Sequence, residues 1–203
     1  MKTRLVLASN NAKKLAELQA LFAPLGVELV NQGSLGISEA EEPFDSFVEN
    51  ALAKARHAAA ASGLPALADD SGLAVAALGG APGVLSARYA SLFGRPKSDA
   101  ENNAVLLQKL AGIEDRAARF VCALVAVSSA ADPEPLIAMG RWQGQILPAL
   151  QGGGGFGYDP LLFIPALGRS VAQLSVAEKN AFSHRALAAA DLARQMREVW
   201  QLG

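Results

Sequence analysis

Near the start of the chain one hydrophobic rhythm gives way to another, and this limits the fold more than any other feature. The apolar run from Arg4 to Ser9 reads as a buried strand, and Asn10-Asn11 punctuates it. Leu15, Leu18, Leu21 and Phe22 then recur at helical spacing up to Pro24. A strand, a polar turn and a helix in immediate succession point to layered α/β architecture. Val27 to Asn31 supplies a second short strand. Phe44 to Ala61 follows as a long Ala-rich helix with Phe47, Ala51, Leu52 and Ala55 on one face.

Leu67 to Ala77 is apolar except for an acidic turn, Asp69-Asp70-Ser71-Gly72, and Gly79 to Gly83 is a loop. Ser98-Asp99-Ala100-Glu101 has capping-box spacing and opens a helix through Leu110 that Gly112 closes. Arg119 to Ser128 and Leu136 to Ile146 have the spacing of a hairpin around Asp132-Pro133. The glycine run from Gly152 to Gly155, continuing through Phe156-Gly157-Tyr158-Asp159-Pro160, suits neither helix nor regular strand. A second capping-box pattern, Ser175 to Glu178, precedes an Ala/Leu-rich helix from about Ser183 to Trp200. The order predicts an α/β fold with a mixed sheet in a single domain over residues 1–203, since no repeat or long linker divides it.

With 203 residues, 51% of them hydrophobic, the chain can bury a substantial core. A net charge of -1 gives no basic footprint for a nucleic-acid polymer, although a free nucleotide needs only a few cationic groups. Cys122 is the sole cysteine, so neither an internal disulfide nor a multi-cysteine metal site can form, which suits a reducing cytoplasm. The apolar stretch from Met1 to Ser9 is too short for a signal sequence. No run approaches the roughly 18 apolar residues of a membrane span, so neither export nor membrane insertion is expected.

Four segments carry residues suited to chemistry. Ser9-Asn10-Asn11-Ala12-Lys13-Lys14 lies where a strand meets a helix start. Backbone N–H groups, the helix dipole and two ammonium groups there favour an anion such as a triphosphate; a capped helix with solvated lysines fits the same residues. Asp69 and Asp70, adjacent on a strand, point to opposite faces, so one of them serves any given cleft. One or two carboxylates plus substrate phosphates suffice for Mg²⁺, and a carboxylate can also take a proton from water. An acidic turn capping a bend is the alternative, and the acidic run Glu39, Glu41 and Glu42 reads equally as a solvated face. In Gly152 to Asp159, Phe156 offers a flat face for a base and Asp159 an acceptor for a ring N–H; a flexible surface loop is the ordinary alternative. Lys179 with Ser183-His184-Arg185 places donors near a helix start, which an ordinary capped helix would also do.

Taken together and in this order, these segments resemble the inosine triphosphate pyrophosphatase family, enzymes that hydrolyse dITP and XTP. The resemblance spans essentially the whole chain. It rests on Leu7 to Lys14 with Glu17, Phe47-Val48-Glu49-Asn50-Ala51, Asp69-Asp70-Ser71-Gly72-Leu73, Pro82-Gly83-Val84 with Ser86-Ala87-Arg88-Tyr89, Phe156 to Pro160, and Ser183-His184-Arg185.

The resemblance implies a long mixed sheet flanked by helices, in two lobes with the active-site cleft between them, and a homodimer. It implies that Ser9, Asn10, Asn11, Ala12, Lys13 and Lys14 bind the triphosphate. It also implies that Asp70 is the proton acceptor, that Glu41 and Asp70 hold Mg²⁺, and that Ser71 contacts substrate. Phe156, Gly157, Tyr158, Asp159, Lys179, His184 and Arg185 would form the base and sugar pocket. Asn10 stands where family members often carry glycine; asparagine tolerates left-handed backbone, so the turn is expected to survive. A Maf-type pyrophosphatase and a non-catalytic nucleotide-binding module are the competing readings. The Ser-His-Arg block opposes the first, and the presence of Asp70, Glu41 and Lys14 opposes the second.

Overall fold

A computed structural model describes residues 3–203. Met1 and Lys2, which begin the apolar stretch read from Met1 to Ser9, lie outside the described residues. The element order is β1 (Thr3–Leu7), α1 (Ala12–Phe22), β2 (Val27–Asn31), α2 (Phe47–Ser62), β3 (Ala66–Val75), α3 (Asp99–Lys109), β4 (Ala117–Val127), β5 (Leu136–Ile146), β6 (Leu162–Ile164), β7 (Arg169–Ser170), α4 (Val176–Phe182) and α5 (His184–Val199). The strands form a seven-stranded sheet in the order β2-β1-β3-β4-β5-β6-β7. The β1 strand is parallel to β2 and β3, whereas β6 is antiparallel to β5 and β7. The sheet is therefore mixed and flanked by helices, as expected.

The chain divides into two compact units. The first comprises the residues up to Asp70 together with Cys122–Gly140 and Ser183–Gly203; the second comprises Ser71–Val121 and Arg141–Phe182. In the first unit, strand alternation sorts the core into two faces. Leu5, Leu7, Leu67, Cys122, Leu124 and Ala126 pack with Leu18 and Phe22 of α1 and with Ala188, Leu192 and Met196 of α5. The intervening Val6, Ala66, Ala68, Ala123, Val125 and Val127 pack with Ala51, Ala55 and Ala58 of α2. Such near-continuous apolar strands are what a sheet covered on both faces requires. A Cβ at Gly140 would overlap the His184 carbonyl oxygen, so glycine here allows the start of α5 to approach β5 closely. In the second unit, Leu73, Val75, Leu106, Phe120, Trp142, Ile146, Leu161 and Leu162 share one core.

Three local expectations differ from what is observed. The first strand ends at Leu7, because Ser9 turns back to accept from the Asn11 amide through its hydroxyl. The long helix begins at Phe47. Ser46 caps it by accepting from the Glu49 amide, while the Asn50 side chain donates to the carbonyl of Phe44 and accepts from its amide, holding that residue outside the helix. Asp69 to Gly72 form no turn: they run on within the ten-residue strand β3, their carboxylates paired rather than solvated. The short strands β6 and β7, and the 3-10 segment Gly83–Phe93, carry no periodicity that marked them in advance.

Candidate active site

Asp69 and Asp70 follow the alternation that sorts the core, and each meets a different helix. Asp69 takes the α1 and α5 side, where its carboxylate accepts from Lys14 Nζ at 2.6 Å, from Arg185 Nε at 2.7 Å and from Cys122 Sγ at 3.4 Å. Arg185, 1% exposed, also donates to Glu17 at 2.5 Å. Burial opposes charge on Asp69, yet Arg185 and Lys14 hold its carboxyl well below the usual carboxylate range. Burial likewise opposes charge on Arg185, and Asp69, Cys122 and Glu17 more than offset it, so its pKa is raised.

Asp70 takes the α2 side, where Lys54 Nζ donates to Asp70 Oδ1 at 2.8 Å and to Glu42 at 2.6 Å. Burial raises the Asp70 pKa; Lys54 pulls the other way, and Glu42 adds to the rise. The second carboxylate oxygen, Oδ2, is buried and has no hydrogen-bond partner among the described residues. An acceptor left in that condition is costly unless a ligand, ion or water meets it. Adjacent residues of one strand thus have opposite characters: Asp69 is a fixed anion, and Asp70 is held closer to protonation with one oxygen uncommitted.

At the helix start, Asn11 Oδ1 accepts from the amides of both Lys13 and Lys14, each at 3.0 Å. The expectation that these amides are available to an anion is corrected, since the N-cap side chain occupies them. Asn10 donates to Glu39 at 3.1 Å and has no left-handed backbone; Gln201 alone among the described non-glycine residues has positive φ. Glu41, expected beside Asp70 on the metal side, is exposed, and the acidic residue that shares Lys54 with Asp70 is its neighbour Glu42. Among the described residues no group of three His, Cys, Asp or Glu side chains is placed to hold a metal. Among the described residues that leaves one or two carboxylates, a set that suits Mg²⁺ completed by water and substrate phosphate.

In the second unit, Asp159 is 3% exposed; its Oδ2 accepts from Lys179 Nζ at 2.8 Å and from the Phe156 amide at 2.9 Å. Lys179 Nζ also lies 4.5 Å from the centroid of the Phe156 ring. Gly155 has φ +75°, and a Cβ there would overlap Asp159 Oδ2, so glycine is required on both counts. The Tyr158 hydroxyl is buried and donates to the Ser86 carbonyl at 2.9 Å. The Phe156 to Asp159 end of the glycine-rich segment is thus tied down by the Asp159 side chain and its partner Lys179. Asp159 was expected to accept from a base, and it does so here from its own chain. Arg185 was expected at the base, and its observed partners are carboxylates. Ser71 lies half-buried in β3, and His184 is buried at the first position of α5, behind the cap that Ser183 provides by accepting from the Ala186 amide.

Three residues with no role assigned from sequence stand out. Lys54 was detectable in principle, because it follows Asn50 by four positions and lies beside the Ala51 and Ala55 face of α2, which puts a cation at the edge of an apolar stripe. Asp99 and Asn103 had no such signal, since their partner is backbone more than fifty residues away: Asp99 accepts from the Gly157 amide at 2.7 Å and Asn103 donates to the Gly157 carbonyl at 2.9 Å.

Fold and site define a class: an α/β protein on a mixed sheet whose interior strand β3 carries two buried carboxylates, one neutralised by Lys and Arg, the other left with an open oxygen. The chain belongs to the Ham1 family, whose model matches residues 5–195. It is 64% identical over 210 residues to a dITP/XTP pyrophosphatase of Leptothrix cholodnii, covering 98% of this chain and 99% of that one. Among solved structures it is similar to a HAM1 protein from Coxiella burnetii, with a TM-score of 0.89 at 45% identity, covering 97% of this chain and all of the other. It is also similar to the Staphylococcus aureus Ham1 protein, with a TM-score of 0.85 at 36% identity over 97% and 99% of the two chains.

Proposed function

We propose that this chain hydrolyses noncanonical purine nucleoside triphosphates, dITP or ITP and XTP or dXTP, to the monophosphate and pyrophosphate, clearing them from the nucleotide pool. The observation that carries the proposal is Asp70: a buried carboxylate with raised pKa and one oxygen without a hydrogen-bond partner. Such a group suits a general base, whose proton affinity must approach the working pH.

Asp70 takes the proton from the water that attacks the α-phosphorus, and pyrophosphate leaves. Lys54 keeps Asp70 from drifting to a neutral acid and fixes its orientation through Oδ1. Ser9, Asn10, Asn11, Ala12, Lys13 and Lys14 receive the triphosphate, with positive charge from the two lysines, and Ser71 contacts substrate beside Asp70. Asp69 holds Lys14 and Arg185 in place without itself reacting. Mg²⁺ is the cofactor of this reading: Asp70 and Glu41 would hold it, and it would supply charge neutralisation on the phosphates.

Base recognition belongs to Phe156, Gly157, Tyr158, Asp159, Lys179, His184 and Arg185. Phe156 stacks on the purine, while the Asp159–Lys179 pair holds the loop that presents it. Hypoxanthine and xanthine offer a 6-oxo acceptor where adenine offers a donor. A donor at that position rejects adenine by leaving both groups unpaired, an effect that reaches about 10⁴ where a site is built around one hydrogen bond. Guanine shares the 6-oxo group, so its exclusion rests on the 2-position.

The family resemblance supports a homodimer, which light scattering reads directly. The lone cysteine supports a cytoplasmic setting, and no helix among the described residues is long and apolar enough to cross a membrane. Pyrophosphate release from dITP, XTP, dGTP, ATP and dTTP, with and without Mg²⁺, tests the whole reading. Release from dITP and XTP that needs the metal is expected. Equal rates on ATP and dITP would overturn the account of the base.

A further inference from the structure

The glycine-rich loop is held from two sides. Asp159 and Lys179 brace Phe156 from one, and the peptide groups of Gly157 are gripped from the other. Asp99 and Asn103, four positions apart on α3, lie on one helix face. Asp99 Oδ2 accepts from the Gly157 amide at 2.7 Å, and Asn103 Nδ2 donates to the Gly157 carbonyl at 2.9 Å. Both backbone polar groups of a single residue are thereby read by side chains, as a neighbouring strand would read them. Asn103 is 5% exposed, and its Oδ1 is buried with no hydrogen-bond partner among the described residues. Of the two polar ends of this amide, the fold uses the donor.

The platform itself is anchored. Asn102 accepts from the Ala90 amide at 2.8 Å and donates to the Ala87 carbonyl at 3.3 Å. Tyr158 donates to the Ser86 carbonyl in the same 3-10 segment. The loop residue on either side of Gly157 is therefore also restrained: Phe156 by Asp159 and Lys179, Tyr158 by Ser86.

We propose that Asp99 and Asn103 are positioning residues for base discrimination, acting through Gly157 to fix the Phe156 ring where the purine stacks. This rests on the function proposed above. Neither side chain touches the base; their effect passes through the loop backbone, and a small displacement of a positioned group is costly for selectivity.

The test compares kcat and KM for dITP and dATP in the full-length protein and in Asp99→Ala, Asp99→Asn and Asn103→Leu. In Asp99→Ala and Asn103→Leu the ratio of kcat/KM for dITP over dATP falls roughly ten- to a hundredfold, carried by a higher KM for dITP. Asp99→Asn keeps an acceptor for the Gly157 amide and restores most of the ratio. Asp99 is exposed, so its variants fold even if Asn103→Leu does not. A merely structural role would lower activity on both nucleotides in proportion, and an unchanged ratio in Asp99→Ala overturns the proposal while leaving the function intact. A wild-type chain that releases no pyrophosphate from dITP overturns the function, and this proposal with it.

Discussion

Replacing Asp69 with Asn tests the central charge network, because its consequences for stability and for pH can both be worked out. The carboxylate accepts from Lys14 through one oxygen and from Arg185 and Cys122 through the other. An amide of the same shape keeps one acceptor and turns an N–H toward a donor, so one of the two cations loses its partner. Arg185 is 1% exposed and keeps Glu17 as a carboxylate partner. Removing one member of a buried ion pair costs about 3–5 kcal/mol, chiefly because the other charge stays buried. At roughly 2–4 °C per kcal/mol for a chain of this size, the melting temperature should fall by about 6–20 °C.

The pH dependence has a definite sign. The folded-state pKa of Asp69 is depressed, so its contribution is complete above the ordinary carboxylate pKa and is lost as pH falls through the folded value. The gap in melting temperature between wild type and Asp69→Asn should therefore be constant near neutrality and narrow below about pH 4. Thermal unfolding followed by circular dichroism across that range measures it. A loss under about 2 °C at pH 7, less than 1 kcal/mol deserves, would refute the assignment of Asp69 as the anchor of Arg185.

Asp70→Asn should bind dITP nearly as wild type does, by calorimetry, while kcat drops by about 10²–10⁴, the worth of a general base. Lys54→Met removes the ammonium that lowers the Asp70 pKa, so the acid limb of the kcat profile should move to higher pH; movement to lower pH would contradict the pairing. Gly155→Ala should cost roughly 1–3 kcal/mol from its positive φ, and more from the overlap with Asp159, with the KM for dITP rising as Phe156 is displaced.

Much of the fold could be read from hydrophobic rhythm and caps. Val27–Asn31 and Leu136–Ile146 appear with the expected bounds, Ser98 and Ser175 open helices as their capping-box spacing indicates, and Ser183 caps the last helix as expected. Polar residues inside apolar sequence were harder. Asp69 to Gly72 has the composition of a turn and is strand, because Lys14, Arg185 and Lys54 arrive from three helices to neutralise the carboxylates. Glu41 and Glu42 are neighbours in an acidic run, and nothing local indicates that Glu42 is the one that meets Lys54. The grip of Asp99 and Asn103 on Gly157 was invisible for a related reason: a backbone partner has no side-chain identity to betray it.

The sequence by itself determined the α/β order, the family, and that adjacent carboxylates on one strand face opposite ways, because periodicity and strand geometry are local properties of the chain. Tertiary structure alone decided what each carboxylate became. Asp69 faces α1 and α5, which bring Lys14 and Arg185 and leave it a fixed anion. Asp70 faces α2, which brings Lys54 to one oxygen and leaves the other bare in a buried setting. Charge and burial at a side chain are set by whichever helices pack beside it, and only the folded chain specifies those.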